Sequence, residues 1–165
     1  MSAGQRVAVG TGVSALVLAL VMPLIMQSEG RSLKPYRDVG GVWTVCDGDT
    51  KNVEQRRYSP AECDQRLASN LYEHDADMRA CLSVQLAPHV EAAMLSFTYN
   101  VGAKNFCGST LRKRLEAGDV PAACAELSRW VYVAGKDCRD PANHCPGIVN
   151  RRARERALCE GRSSS

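Results

Sequence analysis

Glycine-rich phosphate loops and zinc-finger spacing are both missing from this chain of 165 residues, so neither nucleotide binding nor a structural zinc is indicated. None of its cysteines repeats as a CxxC pair, which argues against a zinc or redox centre. Histidine is scarce. His74, His89 and His144 have no partners arranged as a triad and read as surface or structural residues. The formal net charge is only +3, compatible with an anionic polymer or membrane surface but too weak to argue nucleic acid. Repeats and linkers are lacking as well, so one modest domain with a short appendage is expected.

What the chain does have is cysteine: Cys46, Cys63, Cys81, Cys107, Cys124, Cys138, Cys145 and Cys159. An even number behind an export-like N-terminus argues for disulfides formed in an oxidising compartment such as the bacterial periplasm. Eight cysteines allow 105 pairings. The single pairing singled out is Cys138 with Cys145, across the polar loop RDPANH.

The N-terminus has a second unusual feature. From Val7 to Ser28 the chain carries no charge for 22 residues. As a helix this run is about 33 Å long, enough to cross a hydrocarbon core of roughly 30 Å. Arg6 and the free amine place positive charge on the inner side. Yet only ten of these residues are Val, Leu or Ile, eight are Gly, Ala, Ser or Thr, and Pro23 and Gln27 interrupt the run. Residence in a bilayer is therefore marginal. A cleaved signal peptide is one reading, but Leu24-Ile25-Met26-Gln27 offers no small-x-small cleavage site. A permanent anchor is another.

Directly after this run lie two carboxylates and a hydroxyl at fixed spacing: Glu29, Asp38 and Thr44, in EGRSLKPYRDVGGVWT. Gly30 is a natural helix stop, so Glu29 is expected in the last turn of a helix, where the dipole disfavours carboxylate charge and suits a proton donor. Pro35 and Gly40-Gly41 mark extended chain followed by a turn, which puts Asp38 in a wetter place. Two carboxylates held in opposite protonation states are what glycosidic bond cleavage requires. Thr44 is placed to hold a water only if it shares a face with Asp38. A three-residue loop, Gly40 to Val42, would set Asp38 opposite Thr44, so an odd-length loop is predicted.

Further along, Val45 to Tyr58 reads as a small β-meander, and Asp47-Gly48-Asp49 as a turn rather than a calcium loop. Ser59-Pro60-Ala61-Glu62 is a capping box that opens a helix running towards Leu82, with Leu67, Leu71 and Met78 on its buried side. Pro88 opens the next helix, which ends at Gly102. Ser109 or Thr110 caps a short helix to Ala117, and Asp119 caps another that continues through Trp130 to Val133. Of Arg151 and Arg152, one is expected to pair with Glu29 or a neighbour and the other to be solvated. The tail from Arg162 to Ser165 is expected to be disordered.

Glu29-Gly30, Tyr36-Arg37-Asp38 and Gly41-Val42-Trp43-Thr44 together resemble the catalytic signature of the phage-type lysozyme family. Leu95-Ser96-Phe97-Thr98-Tyr99-Asn100-Val101-Gly102 resembles its second strong motif. Ser109-Thr110-Leu111, Gly118-Asp119, Trp130, and Arg151-Arg152 with Glu155 follow in the family's order. One departure is Asp49, which stands where the family often has His and adds negative charge near the cleft.

The resemblance implies an α+β fold, mainly α, with a small β-hairpin lobe, a helical lobe and a cleft between them. It implies Glu29 as general acid, Asp38 as base or electrostatic partner, and Thr44 as the water-positioning hydroxyl, with no cofactor and no metal. The family is described as inverting, which implies carboxyl groups roughly 6.5–9.5 Å apart. Asn100, Tyr99 and Trp130 become substrate-contact candidates, although a helix-borne aromatic is more often core. The implied substrate is peptidoglycan, cut between N-acetylmuramic acid and N-acetylglucosamine, by a monomer with no nucleic-acid partner. A lytic transglycosylase and a non-catalytic wall-binding module are the rival readings.

The N-terminal half resembles the signal-arrest-release endolysins within that family. By that resemblance residues 1–28 are a segment that spans the inner membrane and later leaves it, and residues 29–165 the catalytic domain, first tethered facing the periplasm and then free in it. Some relatives keep a cysteine in the anchor for thiol exchange; none occurs here.

Overall fold

The structure, a computed structural model, describes residues 12–162. The expected membrane segment therefore lies partly outside the described residues, at 7–11, as does the end of the expected tail, at 163–165. The first helix, α1 (Ala15–Glu29), is capped by Ser14, whose side chain accepts from the Val17 N–H at 3.2 Å. It stops at Gly30, whose φ of 73° a side chain would resist. Val17, Val21, Leu24 and Ile25 recur at helical spacing and are buried. Among the described residues no helix is long and apolar enough to cross a membrane.

A hairpin follows, β1 (Ser32–Arg37) antiparallel to β2 (Trp43–Cys46), with Arg37 opposite Trp43 and Tyr36 opposite Thr44. The Asp38 N–H bonds to the Val42 carbonyl, so the loop is Val39 to Gly41, not Gly40 to Val42. Its length is odd as predicted, but the register is displaced, because the Asp38 carboxylate caps the loop by accepting from the N–H groups of Gly40 and Val42. The expected β-meander is absent among the described residues. After β2 there is only one isolated bridge, Val45 to Asp49. Asp47 and Asp49 pair instead with Arg31 and Arg66, and Gly48 and Asn52 take positive φ, so the chain turns repeatedly rather than extending.

Helix α2 (Pro60–Arg79) opens on the capping box of Ser59 and Glu62, with Leu67, Leu71 and Met78 buried. Helix α3 (Pro88–Val101) is buried continuously from Val90 to Thr98 and is the centre of the main core, against which α1, α2 and α7 (Pro146–Cys159) pack. Between them come α4 (Ala103–Cys107), α5 (Thr110–Glu116) capped by Ser109, and α6 (Val120–Glu126) capped by Asp119.

The helix expected to reach Val133 ends earlier. A 3-10 turn over Leu127–Arg129 leads instead into a second small hairpin, β3 (Tyr132–Val133) and β4 (Lys136–Asp137). Ala134 and Gly135, both at positive φ, form its two-residue turn. Disulfides join Cys46–Cys63, Cys81–Cys107, Cys124–Cys159 and, as expected, Cys138–Cys145. The first ties β2 to α2, so it links the hairpin lobe to the helical lobe. The fold is mainly α with two small two-stranded sheets.

Candidate active site

A cleft of about 320 Å³ lies beside the end of α1, lined by Glu29, the loop from Asp47 to Lys51, Asn70 and His74 of α2, and Tyr99 and Asn100 of α3. Glu29 arrives there because Gly30 ends its helix at that residue. Arg151 donates from Nη1 to Glu29 Oε1 at 2.5 Å. The other oxygen, Oε2, is 3.7 Å from where a side chain at Gly48 would begin. Gly48, at φ 86°, is thus the backbone wall over the free oxygen.

Behind Glu29 is a buried ionic network. Arg151 also donates from Nε to Glu155 at 3.1 Å and from Nη2 to the Ser96 carbonyl at 3.1 Å. Glu155, fully buried, accepts further bonds from Ser96 Oγ at 2.7 Å and Arg152 Nη1 at 2.5 Å. One of the two arginines was expected in solvent, but both are buried, and Arg152 is only 2% exposed. Its Nε donates to the Trp130 carbonyl, its Nη2 to Asn100 Oδ1, and its guanidinium lies 4.8 Å over the Phe97 ring. Burial pulls the Arg152 guanidinium below its ordinary value while Glu155 opposes that shift, and the group remains charged. Glu155 bonds both guanidinium groups at once, which is what makes burying the three charged side chains tolerable.

Tyr99 fastens the loop over the cleft, donating from its hydroxyl to the Asp47 carbonyl at 2.9 Å. Burial first, and then the negative charges of Glu29, Asp47 and Asp49, push that hydroxyl above its usual range, so it stays a donor. Asp47 is held by Arg31 at 2.7 Å and Asp49 by Arg66 at 2.6 Å. The extra negative charge noted at Asp49 is therefore matched by an arginine.

Asp38 and Thr44 stand on the hairpin and do not line this cavity. Asp38 lies opposite Val42 in the ribbon and Thr44 two residues further along the same strand, so both belong to one face. Thr44 is buried and donates to the Val42 carbonyl at 3.1 Å. Of the expected substrate contacts, Tyr99 and Asn100 border the cleft. Trp130 does not: it packs edge-on against Phe97, ring centroids 5.1 Å apart, with the core.

Sequence reasoning missed Asn70 and His74 as cleft residues, and named Glu155 only as part of a motif, without a role. His74, expected at the surface or in a structural role, lines the cleft with its ring against Tyr99, centroids 5.0 Å apart. Its four-residue spacing from Asn70 on one helix was the available signal. Glu155 follows Arg151 by four residues and Arg152 by three, the spacing of helical ion pairs.

The fold and the cleft define a class. The phage lysozyme family model matches residues 26–155, and the chain belongs to that family. The chain is 38% identical over 133 residues to a SAR-endolysin of Enterobacteria phage PA-2, covering 79% of this chain and 76% of that one. It is 35% identical over 167 residues to a SAR-endolysin of Bacteriophage PS119, covering 96% of each. Among solved structures, a P22 lysozyme mutant superposes with a TM-score of 0.74 at 27% identity, over 90% of this chain and 98% of that one.

Proposed function

We propose that the chain is an endolysin that hydrolyses the β-1,4 bond between N-acetylmuramic acid and N-acetylglucosamine of peptidoglycan, leading to lysis of the host cell. The observation that carries this reading is Glu29 at the open end of α1, one oxygen fixed by Arg151 and the other beside Gly48 at the cleft. Glu29 gives its proton from Oε2 to the leaving glycosidic oxygen. Asp38, one oxygen occupied by the Gly40 and Val42 N–H groups, uses the other to take a proton from the attacking water. Thr44, on the same ribbon face, accepts a hydrogen bond from that water. Water attacks the face of the sugar opposite the leaving group, so the anomeric configuration inverts. The chemistry needs no metal or cofactor. Asn100, whose Oδ1 is held by Arg152, offers its amide N–H groups to the glycan, and Tyr99 borders the same sugar.

The N-terminal segment controls this chemistry. In its first state the uncharged run of residues 7–28 spans the inner membrane with the catalytic domain, residues 29–165, in the periplasm. In its second state the run leaves the bilayer and its part within Ala15–Glu29 docks as α1. The support is mutual exclusion: Val17, Val21, Leu24 and Ile25, now buried in the protein, are the side chains lipid would hold. While they are in lipid, Glu29 sits at the headgroup level and Arg151 lacks that partner. Loss of membrane potential biases the two states towards release. The active form is a monomer in the periplasm.

The test is digestion of purified peptidoglycan by the released protein and by Glu29→Gln. Reducing-end products that disappear with Glu29→Gln support the reading. Anhydro-muramyl ends would indicate a transglycosylase, and wall binding without cleavage a binding module.

A further inference from the structure

One wall of the cleft presents two polar side chains that are free to bond a ligand. Asn70 and His74 stand four residues apart on α2, hence on the same face of the helix. Both line the cleft with Glu29. Asn70 is only 8% exposed, and His74 is half-buried. Neither side chain hydrogen-bonds to another described residue. Their polar atoms are not sealed in the interior but open on the cleft, where the groups of a bound ligand can reach them.

We propose that Asn70 and His74 form a substrate-contact pair that hydrogen-bonds the neutral acetamido and hydroxyl groups of the N-acetylated glycan strand. The inference rests on the reading of the cleft as a peptidoglycan site and adds residues on the helical wall to it. The amide of Asn70 both donates and accepts, as does a neutral imidazole, so the pair matches an acetamido group's own donor and acceptor. Burial pushes the His74 imidazole below its ordinary value, which keeps it neutral at the pH of the periplasm. The charged groups around it are Glu73 and Asp77 on its own helix, Lys51 on the loop after β2, and Glu29 across the cleft, with the Tyr99 hydroxyl on α3. Lys51 already pairs with Glu73. The tilted contact of the ring with Tyr99 holds the imidazole in place without using its nitrogens.

The experiment is steady-state hydrolysis of purified peptidoglycan by wild type, His74→Phe, His74→Gln and Asn70→Ala. His74→Phe keeps a ring against Tyr99 but removes the nitrogens; His74→Gln keeps hydrogen-bonding capacity. We expect His74→Phe and Asn70→Ala each to raise KM about three- to tenfold with kcat within about twofold, the loss of one hydrogen bond apiece. His74→Gln is expected to restore most of the wild-type KM. A His74→Phe enzyme with wild-type KM, or losses that fall on kcat alone, would overturn the proposal. Glu29→Gln is run in parallel: full activity there would dismiss the cleft as the site of hydrolysis, whatever the KM values at position 74.

Discussion

Arg151 bonds Glu29 with one nitrogen and Glu155 with another, so the acid at the mouth of the cleft and a fully buried carboxylate share one guanidinium. The relationship joins α1 to α7 across 122 positions of sequence. It makes the seating of the first helix and the assembly of the cleft a single event.

Neutralising the acid alone is the first consequence to check. Glu29→Gln preserves an oxygen for Arg151 and removes the proposed proton donor. Wall clearing followed by turbidity is expected to fall about 10²- to 10⁴-fold, with the melting temperature nearly unchanged. Asp38→Asn is expected to lose activity comparably.

Removing the buried carboxylate has the opposite profile. Glu155→Ala leaves Arg151 and Arg152 side by side without the buried carboxylate that bonds both. The cost is about 3–5 kcal/mol, which in a domain of this size lowers the melting temperature by roughly 6–20 °C. Thermal unfolding followed by circular dichroism, with the disulfides intact, measures it.

The stability of the wild type is expected to depend on pH through His74. Burial depresses this imidazole in the folded state, so the unfolded chain binds the extra proton more readily. Stability is therefore fully present above the unfolded value of about 6.5 and is lost as pH falls towards the depressed folded value. Melting temperatures of wild type and His74→Gln compared at pH 7.5 and pH 5 should diverge at the lower pH, with the wild type losing more.

Stereochemistry gives a further check. Hydrolysis with Asp38 as base delivers products of inverted anomeric configuration. Proton NMR of a short glycan digest, read before mutarotation, distinguishes the two outcomes.

Much of this architecture was legible in local signals. Gly30 after an apolar run set the end of α1, Ser59 with Glu62 and Pro60 set the start of α2, and Pro88 and Gly102 bracketed α3, because caps and breakers act over a few residues. The Cys138–Cys145 bridge closes a loop short enough to see in the sequence. Contacts made at long range were not legible. Nothing local shows that Arg152 is buried under Phe97 and Trp130, or that Arg66 meets Asp49. The helix expected to reach Val133 stops at Glu126, and Tyr132-Val133 pairs instead with Lys136-Asp137 across the Ala134-Gly135 turn. The hairpin loop was displaced because a carboxylate capped it, a choice that spacing alone does not make.

On the proposed function, Glu29 works only when α1 is docked on the protein. The decisive measurement is the rate at which purified peptidoglycan is digested by full-length protein held in lipid vesicles, compared with the same protein after release. The prediction is near-background cleavage in the vesicle-bound state and full cleavage on release. Equal rates in the two states would contradict it.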